Sequence, residues 1–166
     1  VEFAIANFAA SQQTMTVRAQ NPGGAGPMIQ KCRVAAIRLT GSRFSDYAYA
    51  TADTESTTTS TTFVEKLSKT WTAGPTGNWL ALMSASAAQS SAYNGCEIRM
   101  QYNDTTTAST NLHFPMDAVE YPPASGVGVI NVTGGSRMVD IDYRSSTTSY
   151  AAKIKHVRLV LLSLDD

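Results

Sequence analysis

Residues 154–164, near the end of the chain, are apolar with few interruptions. Lys155 and His156 stand between Ile154 and Val157 at the start of this stretch, and aliphatic residues follow. The stretch is rich in β-branched residues and shows no polar face at helical spacing, which is typical of a strand that enters a sandwich core. We therefore predict a central strand here.

Polar and apolar residues alternate in residues 96–102. The apolar or aromatic residues are Cys96, Ile98, Met100 and Tyr102, and the polar residues between them are Glu97, Arg99 and Gln101. Successive side chains of a strand point to opposite faces of its sheet. The pattern therefore predicts a strand with one buried and one solvent-facing side.

Residues 79–87 are rich in Ala, Leu and Met, which suit a helix as well as a buried strand. Gly77 and Asn78 before the segment, together with its Ser-rich end, favour the strand. Further short strands are predicted at residues 44–50, 63–67, 111–116, 127–132 and 138–143.

Loops separate these runs, among them a Pro- and Gly-rich loop at residues 21–27 and a Thr- and Ser-rich stretch at residues 51–62. About eight strands without a convincing helix fit a single sandwich. The sequence thus predicts an all-β fold, an antiparallel β-sandwich of jelly-roll type, for residues 45–166. Residues 1–44 add about three N-terminal strands.

An internal repeat relates residues 1–44 to the last part of the chain. When the chain is slid against itself so that Ile5 meets Val127, apolar positions and strand spacing coincide. The other matched pairs are Phe8 with Ile130, Val17 with Val139, Ala19 with Ile141, Lys31 with Lys153, Arg33 with Lys155, Ala35 with Val157, Ile37 with Leu159 and Leu39 with Leu161. We interpret residues 1–44 as the closing strands of a preceding repeat or as a strand-donating segment, and residues 45–166 as a complete domain. A chance match between two similar sandwich ends is the alternative.

Three strands alone leave an open edge and half a core, so residues 1–44 need a partner. That partner is residues 45–166, a preceding segment removed from this chain, or a neighbouring subunit. Phe3, Ile5 and Phe8 are the edge residues that we expect to pair with a neighbour.

The formal net charge of the chain is +0, and 16% of its residues are charged. This balance gives no basic field for nucleic acid and no cationic face for anionic lipid, so we expect neither as a partner. An apolar run of about 18 residues, as a membrane helix needs, is absent from the sequence. The chain begins with Val1 and shows no signal-peptide pattern, so we expect it to have been trimmed from a longer precursor.

The sequence contains no recognised catalytic motif. A nucleophile elbow, a Walker loop and a zinc-protease helix are all missing, although glycosidase carboxylates are set by distance and have no such motif. His113 and His156 have no second His or Cys at metal-ligand spacing. Cys32 and Cys96 either form a disulfide or, as we favour, remain buried free thiols. We therefore expect no enzyme, no cofactor and no metal.

Asp140 and Asp142 flank Ile141 and would share one face of a strand. Both carboxylates could contribute to a calcium site, which needs about six or more oxygen ligands. Because no calcium-loop pattern is present, a solvated acidic face is the favoured interpretation.

Aromatic side chains could stack on sugar rings where a flat face is exposed. The candidates are Trp71, Trp79, Tyr93, Tyr102 and Tyr121. Trp79 begins an apolar strand and is expected in the core. Trp71 stands between Thr70 and Thr72 near a turn, so we select it as the possible glycan contact.

Five segments of the chain form a succession of β-patterns, at residues 58–63, 77–85, 98–102, 134–143 and 152–159. Together, over residues 57–164, they resemble the repeated jelly-roll domains of structural proteins from tailed bacteriophages. These segments are loose β-patterns and not catalytic signatures. The resemblance implies a virion component, such as a head decoration, fibre or tail-tip subunit, and it carries over no functional residue.

The leading hypothesis is a non-enzymatic structural subunit of a virion surface, a homo-oligomer that contacts copies of itself and other virion proteins. The Ser- and Thr-rich composition is typical of exposed β-surfaces in virion and extracellular proteins. One alternative is a carbohydrate-binding module or receptor-binding adhesin that holds a surface glycan at Trp71. Another is an extracellular filament subunit whose first strands complete the next sandwich.

Overall fold

The computed structural model describes residues 46–74, 76–91, 94–113 and 121–164, and of His113 only the backbone. The regular elements of these residues are all strands, which confirms the all-β prediction. They are β1 (Tyr47–Ala52), β2 (Ser56–Thr58), β3 (Val64–Ala73), β4 (Gly77–Gln89), β5 (Cys96–Tyr102), β6 (Thr106–His113), β7 (Pro123–Val132), β8 (Gly135–Ser145) and β9 (Ala152–Ser163). The predictions for residues 1–44, including Phe3, Ile5 and Phe8, lie outside the described residues.

The strands form two antiparallel sheets that pack face to face. Sheet A has the order β1-β9-β4-β7, and the short β2 also pairs with β9. Sheet B has the order β3-β8-β5-β6. Since β1 and β2 pair with successive parts of β9, they act as one interrupted strand. The resulting order, with the first and last strands adjacent, is that of a jelly roll and confirms the predicted fold.

β9 is an inner strand of sheet A, as predicted, because β1 and β2 pair with one edge and β4 with the other. Its register against β4 passes from Ser84 opposite Arg158 to Ser86 opposite Lys155, so β9 carries one extra residue. His156 lies in this β-bulge with a φ of 51°. The bulge allows the strand to bend while its apolar side chains stay in the core.

The core lies between the two sheets. Trp79, Ala81 and Met83 of β4 are buried and point inward, which confirms the strand at residues 79–87. The largest fully buried side chains are Trp79, Tyr143, Met83, Ile98, Met100, Ile141, Ile154, Leu159, Leu161, Leu162, Gln89 and Val132. Ile98 and Met100 are among them, as the alternation in β5 predicts.

Three elements differ from the sequence-based expectation. β3 runs to Ala73, well past the predicted strand at residues 63–67, and β6 begins at Thr106, before the predicted residue 111. β2 lies within the Thr- and Ser-rich stretch that was expected to be a loop. These parts are polar, which hides them from an apolar pattern, but the β-branched Thr favours strands.

The sandwich is closed on one side where the edge strands β6 and β7 meet. A Cβ on Gly128 would lie 2.5 Å from the carbonyl oxygen of Ala108 in β6. The side chain of Asn111 in β6 also donates a hydrogen bond to the carbonyl oxygen of Ser125 in β7, at 3.2 Å. Small residues on β7 thus let two sheet edges approach each other closely.

Cys96 is a free, fully buried thiol at the start of β5. Burial raises the pKa of this thiol to about 12, and the neighbouring Glu97 carboxylate contributes to the shift. A thiolate is the reactive form, so a shift of this size makes a cysteine inert near neutral pH. Cys32 lies outside the described residues.

We expect Cys96 to be unreactive in the folded protein. In a Cys32→Ser variant at pH 8, modification by a thiol reagent should be at least about a hundredfold slower than in the same variant unfolded in guanidinium chloride. The release of a coloured leaving group would measure both rates. Equal rates would show that Cys96 is accessible to solvent and contradict its burial.

Candidate functional site

Trp71, the predicted glycan contact, is 8% exposed and belongs to the core. Its ring centroid lies 5.5 Å from that of Trp79. The exposed flat face expected from its position between two Thr residues is therefore wrong. Thr70 and Thr72 point outward on β3, and strand alternation directs Trp71 inward.

The small part of Trp71 that stays exposed lines a groove between β1 and β3, at the open side of the sandwich. The cavity has a volume of about 410 Å³ and is lined by Tyr47, Ala48, Tyr49, Lys69 and Trp71. Its size is within the range of small-ligand sites, which is roughly 300–1,000 Å³. We call this cavity the β1/β3 groove.

The charged side chain of Lys69 borders the β1/β3 groove. Within the described residues, the Lys69 ammonium group has neither an ion-pair nor a hydrogen-bond partner, and the buried Nε1 of Trp71 has no acceptor. Tyr49 is 43% exposed and provides an aromatic side chain at the rim. The sequence shows Tyr47 and Tyr49 on one face of their strand, but Lys69 was missed because the predicted strand ended at residue 67.

The outer face of sheet B carries two ion pairs. Arg99 Nη2 lies 2.8 Å from Asp142 Oδ2, and Arg144 Nη2 lies 2.6 Å from Glu97 Oε2. The ring of Phe63 covers both guanidinium groups, with its centroid 4.1 Å from the Cζ atom of Arg99 and 4.5 Å from that of Arg144. Because these four charges are paired with one another, the two ion pairs and Phe63 form a structural network on this face.

Asp140 differs from Asp142 although both lie on the outer face of sheet B. Its side chain is 2% exposed, and neither carboxylate oxygen has a partner with hydrogen-bond geometry among the described residues. Burial raises the pKa of Asp140 to about 6; the hydroxyl of Ser68 on β3 lowers it, and the carboxylates of Asp104 and Glu65 raise it. The predicted solvated acidic face is therefore wrong, since both Asp140 and Asp142 are buried.

A metal site at these carboxylates finds no support in the described residues. No three His, Cys, Asp or Glu side chains in that part of the chain are grouped closely enough to hold a metal ion. Asp142 is paired with Arg99, which leaves Asp140 without a second free carboxylate from its own strand.

His156 lies at the bulge of β9, near Asp53 in the connection between β1 and β2. Arg158 Nη2 is 2.5 Å and His156 Nδ1 is 3.4 Å from Asp53 Oδ1. These hydrogen bonds, first from Arg158 and then from His156, hold the pKa of the exposed Asp53 below its ordinary value. His156 is therefore a strand residue in an ion-pair cluster, as its isolated position predicts.

Sheet A presents apolar side chains on its outer face as well as its inner face. Val127 and Val129 of β7 are each 62% exposed there. Val129 is paired in register with Leu80, and Leu80 with Leu162 of β9. An apolar outer face is unusual for an antiparallel sheet, whose second face is commonly polar.

The structure contains no helix long and apolar enough to cross a membrane within its described residues.

Comparisons with known proteins give a distant structural likeness. No protein-family model matches the chain, and no curated protein matches its sequence. Among solved structures, the chain is similar to the EclA C-terminal domain, a sugar-binding protein, with a TM-score of 0.42 and 16% sequence identity. The likeness covers 74% of this chain and 82% of that domain.

Proposed function

We propose that the protein is a non-enzymatic structural subunit that assembles through contacts with copies of itself and with other proteins of a virion surface. The observation that carries this proposal is the strand pairing of the last three strands. β7 pairs with β4, β8 pairs with β3 and β5, and β9 pairs with β1, β2 and β4. None of the three pairs with another of the three.

If residues 1–44 repeat β7 to β9, the same pairing pattern applies to their three strands. A copy of these three strands cannot satisfy its backbone hydrogen bonds internally, because every partner strand belongs to the preceding part of the domain. Unpaired strand edges template pairing with other polypeptide. We therefore expect residues 1–44 to supply strands to a neighbouring unit of the same fold, which would join one structural subunit to the next.

The buried positions of β9 support the repeat. Ile154, Val157, Leu159 and Leu161 are fully buried. The residues that match them in the first segment are Cys32, Ala35, Ile37 and Leu39, and all of them are apolar. The two segments thus share the pattern of core-facing apolar residues, although the residues themselves differ.

The repeat also predicts different degrees of burial for the three expected edge residues. Phe8 matches Ile130, which is 3% exposed, whereas Ile5 matches the exposed Val127. Phe3 matches Ser125, which is half-buried. From this match we expect Phe8 to lie in the core of the completed neighbouring sandwich and Ile5 on its surface.

We expect Phe8→Asp to abolish assembly of the full chain, because a buried carboxylate without a partner costs several kcal/mol. Ile5→Asp is the matched control and should leave assembly nearly unchanged. Light scattering after size-exclusion chromatography would give the mass of each variant. The melting temperature of the sandwich should be the same in both variants.

Two results would contradict the strand-donating role: equal loss of assembly in both variants, or a parent chain that stays monomeric at all concentrations. An open-ended series of masses would favour the extracellular filament over the closed oligomer of a virion surface.

A second candidate function is glycan binding, as in a carbohydrate-binding module or adhesin. The specific observation in its favour is the β1/β3 groove, with Tyr49 exposed at its rim and part of Trp71 in its wall. Aromatic side chains with polar neighbours are suited to contact sugar rings.

A further inference from the structure

The charged group that lines the β1/β3 groove is a hydrogen-bond donor. Lys69 contributes an ammonium group, which has three donors and no acceptor. No described residue pairs with its charge or accepts a hydrogen bond from it. Trp71 forms part of the groove wall, but its Nε1 atom is buried and does not reach the groove surface.

The charged side chain that lines the groove is basic. Lys69 lies on the same face of β3 as Trp71, and its ammonium group is paired with no carboxylate in the described ranges. Asp46 and Asp53 stand at the two ends of the groove strand β1. Asp46 accepts hydrogen bonds from the backbone amides of Tyr47 and Gly74, and Asp53 is paired with Arg158. The groove therefore offers a positive charge that is paired with no described acidic side chain.

We propose that the β1/β3 groove binds an acidic sugar, with the Lys69 ammonium group directed at its anionic group and the Tyr49 ring against the pyranose. This inference rests on the second candidate function, glycan binding, and adds the class of sugar. A hydrogen bond to a charged group is about twice as strong as a neutral one, so the anionic group provides most of the discrimination against neutral sugars.

The features of the groove fit a single sugar ring better than a larger partner. A cavity of about 410 Å³ accommodates a monosaccharide and excludes a folded domain. The rim provides one exposed aromatic ring, Tyr49, and sugar rings bind to such faces through their C–H groups.

Matched sugar pairs test the inference. Glucuronate differs from glucose only in the oxidation state of one carbon, and galacturonate differs from galactose in the same way. Galactose 6-sulfate carries a sulfate ester on that carbon instead of a carboxylate. Saturation-transfer NMR titrations of the full chain should show binding of the two uronates that is at least about tenfold tighter than binding of the neutral sugars. Binding of the sulfate as well would extend the class to any sugar anion, and its absence would restrict the class to carboxylates.

Two variants assign the contact with the anionic group. Lys69→Met keeps the apolar stem and should weaken uronate binding at least about tenfold, to the level of the neutral sugars. Lys153→Met on β9, which removes the same charge elsewhere, should bind uronates like the parent. Unchanged melting temperatures would show that each variant is folded.

The two results that would contradict the inference have different consequences. Equal binding of uronates and neutral sugars, insensitive to Lys69→Met, overturns the acidic-sugar inference while glycan binding stands. Binding of none of the five sugars overturns both the inference and the second candidate function. Neither result bears on the assembly proposal, which depends on the masses of the Phe8 and Ile5 variants.

Discussion

A Gly128→Ala variant is expected to lose about 3 kcal/mol of unfolding free energy, the largest effect that we predict for a single methyl group in this chain. The added Cβ would lie 2.5 Å from the carbonyl oxygen of Ala108 and 3.0 Å from its carbonyl carbon. Both atoms belong to the backbone of β6, so a side-chain rotation cannot relieve the overlap. The edge of one sheet must move away from the other.

Gly126→Ala is the matched control, two residues earlier on the same strand. Its Cβ would also be crowded, at 2.7 Å from Cε of Met83 and closer still to Oγ of Ser109. These atoms are the ends of side chains, and the flexible Met can move at little cost. We expect a loss of about 1 kcal/mol or less.

Denaturant titrations of the parent and both variants would compare the unfolding free energies. A similar effect of the two substitutions would contradict the close backbone approach of β6 and β7 at Gly128. Unchanged slopes in denaturant would show that the variants unfold from the same compact state.

An Asp140→Asn variant is expected to be more stable than the parent above pH 6, by about 3 kcal/mol. The pKa of Asp140 is raised to about 6 in the folded protein, from an ordinary value of 3.8, because burial disfavours the charged carboxylate. The folded state therefore binds the proton more tightly than the unfolded state. The parent loses stability as the pH rises from about 4 to 6, and the neutral amide does not.

The groups around Asp140 do not offset this loss. On β3, Ser68 lowers its pKa while the Glu65 carboxylate raises it, and Asp104 in the turn between β5 and β6 also raises it. The nearest basic group on β5, Arg99, is engaged by Asp142. Asp140 is thus an anion without a compensating cation in the described part of the molecule.

Asp142→Asn is the control on the same face of the same strand, and its effect has the opposite sign. It removes the partner of the Arg99 guanidinium group at 2.8 Å, so it should lower stability at neutral pH by about 1 kcal/mol or more. Melting temperatures between pH 4 and pH 8 would test both. Parallel pH profiles for the parent and Asp140→Asn would contradict the account of Asp140.

The sequence predicts the jelly-roll core well because alternation reports which side chains face inward. Ile98 and Met100 of β5 are buried, as their spacing predicts. The same rule, applied to Thr70 and Thr72 on either side of Trp71, indicates a buried Trp. The neighbouring Thr residues and the nearby turn suggested an exposed Trp71. This was misleading, because β3 continues to Ala73 and includes Trp71.

The remaining features depend on contacts between strands that are far apart in sequence. Lys69 and Tyr49 border one groove only because β1 and β3 are the edges of facing sheets. Asp140 and Asp142 have the same local pattern, yet only Asp142 lies next to an Arg on β5. Local patterns cannot distinguish such residues, since the register of neighbouring strands decides their partners.

Negative-stain electron microscopy of the protein isolated from its natural source tests the central claim, assembly into a virion surface. We expect particles that carry knobs or fibres, labelled by an antibody raised against residues 45–166. Filaments without particles would contradict the virion and support the filament subunit. Dispersed monomers, with neither particles nor filaments, would contradict assembly altogether.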